Sequence, residues 1–159
     1  MSFDIPQRPR RNRQSAAVRG LVRETHLTPD HLIYPLFVLD GEGQRQSIPS
    51  MPGIDRVSED QALREVEEAL ELGIASFVLF PAVREDLKDA KASYGLSQDN
   101  FYLRIARAIK SRFPEAWLMS DVAMDPYSSD GHDGVVQDGQ IVNDLTLPIL
   151  ADMAVVQAE

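Results

Sequence analysis

The stretch SEDQALREVEEALELGIASFVLFP, residues 58–81, decides the fold class of this chain. Its first part places apolar side chains at helical spacing, whereas residues 74–81 form a continuous apolar run. Ser58 and Gln61 have the spacing of a capping box at a helix N-terminus, and Gly73 is a typical C-terminal stop. The pattern therefore predicts a helix that leads directly into a buried strand.

The same alternation continues on both sides of this unit. Upstream, residues 32–38 are apolar and predict a buried strand, although Pro35 lacks a ladder donor and so disfavours a central position. Downstream, the sequence predicts a helix over residues 101–113, ended by Pro114, and a third strand over residues 116–124. Strands that alternate with helices imply about three βα units with a parallel sheet, in either a doubly wound fold or a (β/α)₈ barrel.

Two further elements are expected in the last quarter of the sequence. Asp138-Gly139 lies between two pairs of apolar residues, which is a β-hairpin signal. A closing helix is expected to begin near Thr146, because Pro148 is tolerated only in a first helical turn.

The first part of the chain, residues 1–30, is expected to form an extended arm, with one short helix over residues 15–25. Residues 1–25 hold six arginines and two acidic residues, a net charge of +4, whereas the whole chain of 159 residues carries −9. A basic arm on an acidic body, residues 31–159, indicates contact with an acidic protein surface. Nucleic acid is not expected as a partner, because no nucleic-acid-reading motif accompanies the arm. The arginine-rich start also leaves a transit peptide open.

The composition excludes several classes of site. The chain has no cysteine, which excludes disulfides, thiolate nucleophiles and cysteine-ligated zinc. No apolar run approaches the roughly 20 residues that a membrane span needs, so no contact with a membrane is expected. Because the sequence also lacks the pattern of a secretion signal, we expect a cytoplasmic location.

Acidic residues are densest at the end of the predicted third strand. Asp121, Asp125, Asp130 and Asp133 lie within 13 residues, and His132 stands between the last two. Carboxylates this close share protons, hold a hard cation or shift one another's pKa. The alternative is a polar turn in which aspartate and glycine only shape the backbone, and spacing alone favours this alternative.

Residues 121–134, DVAMDPYSSDGHDG, resemble the metal-site loop of the porphobilinogen synthase family. Three further segments resemble that family in the same order and at matching distances. They are the arm with Arg8-Pro-Arg-Arg11 and Leu21-Val-Arg-Glu24, the strand 32–38, and the turn 48–56.

The resemblance implies the N-terminal portion of a (β/α)₈ barrel, preceded by an arm that contacts a neighbouring subunit in a homo-oligomer, an octamer in this family. It also implies the condensation of two 5-aminolevulinate molecules into porphobilinogen with loss of water, through two lysines that form Schiff bases. Such chemistry needs a desolvated amine that attacks a ketone.

The resemblance assigns few site residues. Asp121 matches an acid near the reacting centre, with a positioning or proton-transfer role. Zinc-dependent members carry three cysteines in this loop, where this chain has Ala123, Asp125 and Asp133. Thiolates select zinc and carboxylates suit magnesium, so Asp125 and Asp133 are candidate Mg²⁺ ligands and zinc is not expected here. His132 fits a supporting role.

The Schiff-base lysines of the family lie beyond the matched part. Lys88 and Lys91, in a polar linker, and Lys110, near a helix C-terminus, are expected to be solvated surface residues. The chain alone is therefore expected to be inactive and to be a partial barrel of marginal stability, with open edges on its first and third strands.

Two other functions remain open at this point. One is a non-catalytic half-barrel interaction module that pairs with full-length subunits through the basic arm. The other is a metal-dependent hydrolase of another barrel family that uses Asp121, Asp125, His132 and Asp133. No second histidine accompanies these residues on a strand end, which disfavours the hydrolase.

Overall fold

The computed structural model describes residues 10–159, so the first nine residues of the predicted arm lie outside the described part. The helices are α1 (Ala16–Leu21), α2 (Glu59–Glu71), α3 (Phe101–Arg112) and α4 (Asn143–Ala158). The strands are β1 (Ile33–Val38), β2 (Arg45–Ser47), β3 (Asp55–Val57), β4 (Ser76–Pro81), β5 (Trp117–Met119), β6 (Val136–Gln137) and β7 (Gln140–Ile141). Within residues 10–159 no helix combines the length and the apolar character that crossing a membrane requires.

The central sheet has the strand order β2-β3-β1-β4-β5. Strands β1, β4 and β5 are parallel and follow one another in chain order, with α2 and α3 as the crossovers. This confirms the predicted βαβ units and parallel sheet. Strand β3 adds in parallel to β1, and β2 pairs antiparallel with β3, which the sequence did not predict.

The two faces of this sheet differ in burial. On one face, Leu36, Val38, Phe77 and Leu79 are almost fully buried and belong to the core formed with the helices. On the opposite face, exposure is much higher, and the side chain of Trp117 is 52% exposed. The helices therefore cover one side of the sheet and leave the other side open.

Strand β5 is shorter than predicted, because it ends at Met119 rather than at residue 124. Trp117 N–H donates to the carbonyl of Ala75 at 2.8 Å, so the same ladder would next bring the N–H of Asp121 to the carbonyl of Leu79. The Tyr102 hydroxyl stands in that place: it donates to the Leu79 carbonyl at 3.2 Å and accepts from Asp121 N–H at 3.0 Å. The inserted side chain ends the pairing of β5 with β4.

Helix α4 begins at Asn143, three residues before the predicted start, and Pro148 lies inside it. The carbonyl of Val142 accepts from the N–H groups of Leu145 and Thr146, which starts the helix early. The bond that Pro148 cannot donate would go to the carbonyl of Asp144, whose residue is exposed, so water can satisfy that carbonyl.

The predicted capping box at the start of α2 is absent. Ser58 is the N-cap, but its hydroxyl donates to Asp60 Oδ1 at 2.6 Å, and Gln61 Nε2 donates to Asp60 Oδ2 at 2.7 Å. Asp60 therefore accepts hydrogen bonds from the two side chains that would have formed the capping box. In contrast, the hairpin prediction is confirmed, since Asp138 and Gly139 connect β6 and β7 with φ angles of 50° and 74°.

The edges of the sheet are only partly open. Strand β3 covers β1 at Phe37 and Val38, which corrects the expectation of a fully open first strand. The carbonyl of Val38 points towards β4, where it accepts from Ala82 N–H, so by alternation the nitrogen of Pro35 points towards the uncovered edge. Pro35 thus occupies a position where its missing donor costs no ladder bond, while the far edge of β5 has no partner strand among the described residues.

Candidate active site

A cleft of about 620 Å³ opens where the parallel strands end. Residues at the carboxyl ends of β1, β3 and β4 line it, together with the start of the acidic loop 121–134. Its charged lining residues are Asp40, Arg56, Arg84, Glu85, Lys88, Asp121 and Asp125. Because reactive groups in parallel α/β proteins gather at the carboxyl ends of strands, this cleft is the candidate active site.

Two helices fix the backbone of Asp121 at the wall of this cleft. Its N–H donates to the Tyr102 hydroxyl on α3, and its carbonyl accepts from Gln157 Nε2 on α4 at 2.9 Å. Asp121 is one of the residues that line the cleft. Sequence reasoning selected Asp121 but missed Tyr102 and Gln157, because their contacts span 19 and 36 residues and leave no local signal.

Asp133 shapes the turn that follows. Its Oδ1 accepts from the N–H of Met124 at 2.7 Å and from the N–H of Asp125 at 3.1 Å. A carboxylate that accepts two successive amides caps the turn in the manner of a helix N-cap. This arrangement brings Asp133 to Asp125, and both residues are exposed, as is His132.

The three carboxyl groups influence one another. Burial raises the pKa of Asp121 above its ordinary value, and the charge of Asp133 raises it further. Burial also raises the pKa of Asp125, with contributions from the charges of Asp133 and Asp121 and from a hydrogen bond with Asp133. The site therefore holds protons on carboxyl groups more readily than isolated aspartates do.

The remainder of the loop is anchored to the rest of the fold. Asn100 Nδ2 donates to the buried hydroxyl of Tyr127 at 3.2 Å, while Asn100 Oδ1 accepts from Tyr102 N–H at the start of α3. The carbonyl of Tyr127 accepts from Asp89 N–H, and Ser129 N–H donates to the carbonyl of Asp89. Hydrogen bonds from Asn100 and from Asp89 therefore hold the loop in place.

Within residues 10–159, no group of three histidine, cysteine or acidic side chains is arranged to hold a metal ion. The hydrolase hypothesis required such a group, so the geometry does not favour it. Asp125 and Asp133 fit a more modest site, because Mg²⁺ keeps several waters and often binds through one or two carboxylates. One oxygen of Asp133 is engaged by two amides, which leaves the other oxygen for such a role.

The three lysines occupy different environments. Lys110 Nζ donates to the carbonyls of Pro114 and Ala116 beyond the end of α3, and Lys91 is exposed. Lys88 departs from the expectation of a solvated residue, since its side chain is 19% exposed and lines the cleft. Its ammonium pairs with Glu85 Oε1 at 2.6 Å.

A row of side chains across the cleft floor was also missed. Gln46, Arg56, Phe37 and Phe80 lie side by side in the sheet register, and all four line the cleft. The rings of Phe37 and Phe80 stack with centroids 5.4 Å apart. The sequence carries no signal for this row, because β2 and β3 are only three residues long.

The chain is similar to known proteins. The family model of delta-aminolevulinic acid dehydratase matches residues 6–159. The dehydratase of Bradyrhizobium diazoefficiens is 47% identical over 158 residues, covering 99% of this chain and 45% of the relative. That of Chlamydia pneumoniae is 42% identical, covering 99% of this chain and 48% of the relative.

A solved structure is similar in fold as well. The crystal structure of delta-aminolevulinic acid dehydratase (porphobilinogen synthase) from Toxoplasma gondii, in complex with its reaction product porphobilinogen, superposes with a TM-score of 0.91 at 49% identity. The match covers 98% of this chain and 44% of that one, so the chain spans about half the length of the relatives it matches. With the family model matching nearly the whole sequence, the chain belongs to the delta-aminolevulinic acid dehydratase family.

Proposed function

We propose that this chain forms one wall of a porphobilinogen synthase active site, where two 5-aminolevulinate molecules condense to porphobilinogen with loss of water. The observation that carries the proposal is the cleft at the strand ends, in which α3 and α4 hold the backbone of Asp121. Membership of the family and the product-bound Toxoplasma relative support this assignment.

The proposed architecture is the first third of a (β/α)₈ barrel. Strands β1, β4 and β5 would be its first three strands, in chain order and in parallel register. The open face of the sheet, which includes the half-exposed Trp117, would become the barrel interior. Residues 31–159 then form the partial barrel, and residues 1–30 form an arm that contacts another subunit of a homo-oligomer.

The proposed role of Asp121 is to position substrate and transfer protons. A carboxyl group acts as a proton donor or acceptor when its pKa approaches the working pH, and the pKa of Asp121 is raised. Its fixed backbone keeps the residue at the cleft wall, which reduces the entropy that is lost when substrate binds.

The amines for imine formation are proposed to come from residues other than the three lysines of this chain. An amine that attacks a ketone must be unprotonated, which requires desolvation or a cationic neighbour. Lys88 instead has an acidic partner, and Lys110 donates to two carbonyls. We therefore expect the 159-residue chain alone to form no porphobilinogen.

A direct test is a chimera that joins residues 1–159 to the remaining part of the Bradyrhizobium diazoefficiens relative. We expect this chimera to convert 5-aminolevulinate to porphobilinogen, and Asp121→Ala to lower its kcat by about 10²-fold or more. Asp130→Ala, an exposed acid of the same loop, is the matched control. A folded chimera without product, or product formation by the 159-residue chain alone, would contradict the proposal.

The proposed cation is Mg²⁺, held by Asp125 and Asp133 with water as the remaining ligands. Bound there, it would supply charge compensation to the acidic loop. In the described chain, a Mg²⁺ titration should shift the NMR signals of both carboxyl groups, and Asp125→Asn should abolish the shift at Asp133. An equal shift of the Asp133 signal in Asp125→Asn would contradict this assignment.

A second candidate function is an interaction module that pairs with full-length subunits. The described part of the arm is exposed and carries Arg10, Arg11, Arg13, Arg19 and Arg23, whereas α2 exposes a mostly acidic surface. Co-purification of the chain with a full-length family member, lost when these arginines become glutamines, would favour the module. Retention of the complex by the glutamine variant would argue against it.

A further inference from the structure

Gln157, in the last turn of α4, uses only one end of its side-chain amide. Its Nε2 donates to the backbone carbonyl of Asp121 at 2.9 Å. Its Oε1 is buried, and among residues 10–159 it is the one buried side-chain nitrogen or oxygen that has no hydrogen-bond partner. Because most buried polar atoms in proteins are paired, this oxygen needs a physical explanation.

Stability alone does not account for an amide at this position. A buried acceptor without a partner disfavours the folded state, whereas a leucine of similar size would leave no such oxygen. A leucine cannot supply the N–H group that reaches the carbonyl of Asp121. The contribution of Gln157 is therefore one directed hydrogen bond, made although its own oxygen stays unpaired.

This hydrogen bond completes the restraint on the backbone of Asp121. The Tyr102 hydroxyl holds the N–H of Asp121, which belongs to the peptide unit before its Cα, and Gln157 holds the carbonyl, which belongs to the unit after it. Because each peptide unit is planar, restraining both units restrains the two backbone dihedral angles of Asp121 and hence the direction of its Cα–Cβ bond. Val122 comes next and is 39% exposed, so it gives the second unit no anchor in the core.

We propose that Gln157 is a positioning residue for the reaction, which acts through the carbonyl of Asp121 to hold the carboxyl group of that residue at the cleft. The inference rests on the proposed function, because it bears on catalysis only if Asp121 positions substrate or transfers protons. Gln157 itself lies outside the cleft lining, so the C-terminal end of α4 would support the site from behind. A misplacement of about 1 Å can slow a reaction about 10²-fold.

The test compares Gln157→Leu with the unmutated sequence, both in the 159-residue chain and in the chimera. In the chain, the backbone ¹⁵N order parameters of Asp121 and Val122 should fall in the variant, since the second peptide unit loses its hydrogen bond. The urea midpoint should be unchanged or higher, because the unpaired oxygen is removed together with the donor. In the chimera, kcat should fall about tenfold or more, while KM changes less than about twofold.

Gln98→Leu is the matched control. Gln98 Nε2 donates to Glu159 Oε2 at the same end of α4, also at 2.9 Å, and makes no hydrogen bond with Asp121. This variant should leave the order parameters of Asp121 and the kcat of the chimera nearly unchanged.

Gln157→Glu tests the role of the donor itself. It keeps the size of the side chain and replaces the amide by a carboxyl group, which donates only when it is protonated. Its kcat relative to that of the unmutated chimera should therefore recover as the pH falls from about 8 to about 5. A purely structural role of Gln157 would give no such proton-dependent rescue.

The inference is overturned if Gln157→Leu leaves the order parameters of Asp121 and Val122 unchanged, or if an active chimera keeps its kcat in this variant. An inactive chimera would instead reject the proposed function. The order parameters of the 159-residue chain would then decide alone whether Gln157 positions Asp121.

Discussion

The hydroxyl of Tyr102 accepts a hydrogen bond from the backbone N–H of Asp121 at 3.0 Å, in the place where a strand would otherwise continue. The same hydroxyl donates to the Leu79 carbonyl, so it provides a hydrogen-bond partner for one backbone group after each of the two strands and ends β5 just before the acidic loop. A side chain on α3 therefore decides where the candidate catalytic acid leaves the sheet.

Removing this hydroxyl should destabilise the protein. In Tyr102→Phe, the buried Leu79 carbonyl and the Asp121 N–H both lose their partner, so we expect the free energy of unfolding to fall by about 1–3 kcal/mol. Urea denaturation measures this change. Tyr34→Phe is the control, because its hydroxyl bonds Glu65 in a half-buried position at 3.4 Å and should matter less. Equal stability of Tyr102→Phe and the unmutated chain would show that the bridge contributes nothing.

The same tyrosine should make stability depend on pH in the alkaline range. Burial raises the pKa of Tyr102 to about 12 from 10.0, so between these values the folded chain keeps a proton that the unfolded chain releases. The contribution of Tyr102 to stability is therefore complete below pH 10 and is lost as the pH rises through 12. Denaturation midpoints across this range should fall less steeply in Tyr102→Phe, and identical slopes would contradict the assignment.

Asp133 is expected to control the protonation of its neighbours. Asp133→Asn removes the charge that raises the pKa of Asp121 and Asp125, while its amide oxygen can still accept from the N–H groups of Met124 and Asp125. Both pKa values should fall towards that of an ordinary aspartate, as measured by ¹³C NMR of the carboxyl carbons. Asp130→Asn, in an exposed part of the loop, should leave them nearly unchanged. An unaltered pKa of Asp125 in Asp133→Asn would exclude this coupling.

Asp60 should make stability depend on pH in the acidic range. Hydrogen bonds from Ser58, Gly43 N–H and Gln61 lower its pKa to about 2 from 3.8. The stability that Asp60 contributes is therefore present above pH 3.8 and is lost as the pH falls through about 2. Between these values Asp60→Asn should lose less stability on acidification than the unmutated chain. Asp152→Asn, in an exposed position on α4, is the control, and equal behaviour of the two variants would contradict the expectation.

Local patterns predicted the elements that depend on local interactions. The order of strands and helices follows from apolar periodicity, and the hairpin follows from Asp138-Gly139, whose backbone conformation few other pairs adopt readily. Two of the failures involve competition with a side chain that the local pattern did not indicate. Asp60 displaced the capping bonds of Ser58, and the Tyr102 hydroxyl replaced a ladder bond across 19 residues.

The candidate site was predictable in part for the same reason. Asp121, Asp125 and Asp133 could be selected because they crowd one loop, although the turn that Asp133 caps required coordinates. Arg56 could not be selected, because its place beside Phe37 depends on a two-residue pairing between β1 and β3. Such short pairings are set by the tertiary fold rather than by strand propensity.

That short pairing also bears on self-association. It leaves Ile33 to Leu36 as the uncovered backbone of β1, a length of about 13 Å at the usual rise per residue. The nitrogen of Pro35, which carries no hydrogen, points towards this uncovered edge. An incoming strand would therefore meet an interrupted row of hydrogen-bond donors. At the opposite edge of the sheet, β5 is only three residues long. These two edges are therefore poor templates for fibril growth by strand addition. If the protein aggregates, we expect contacts between its exposed apolar surfaces to give an amorphous precipitate instead.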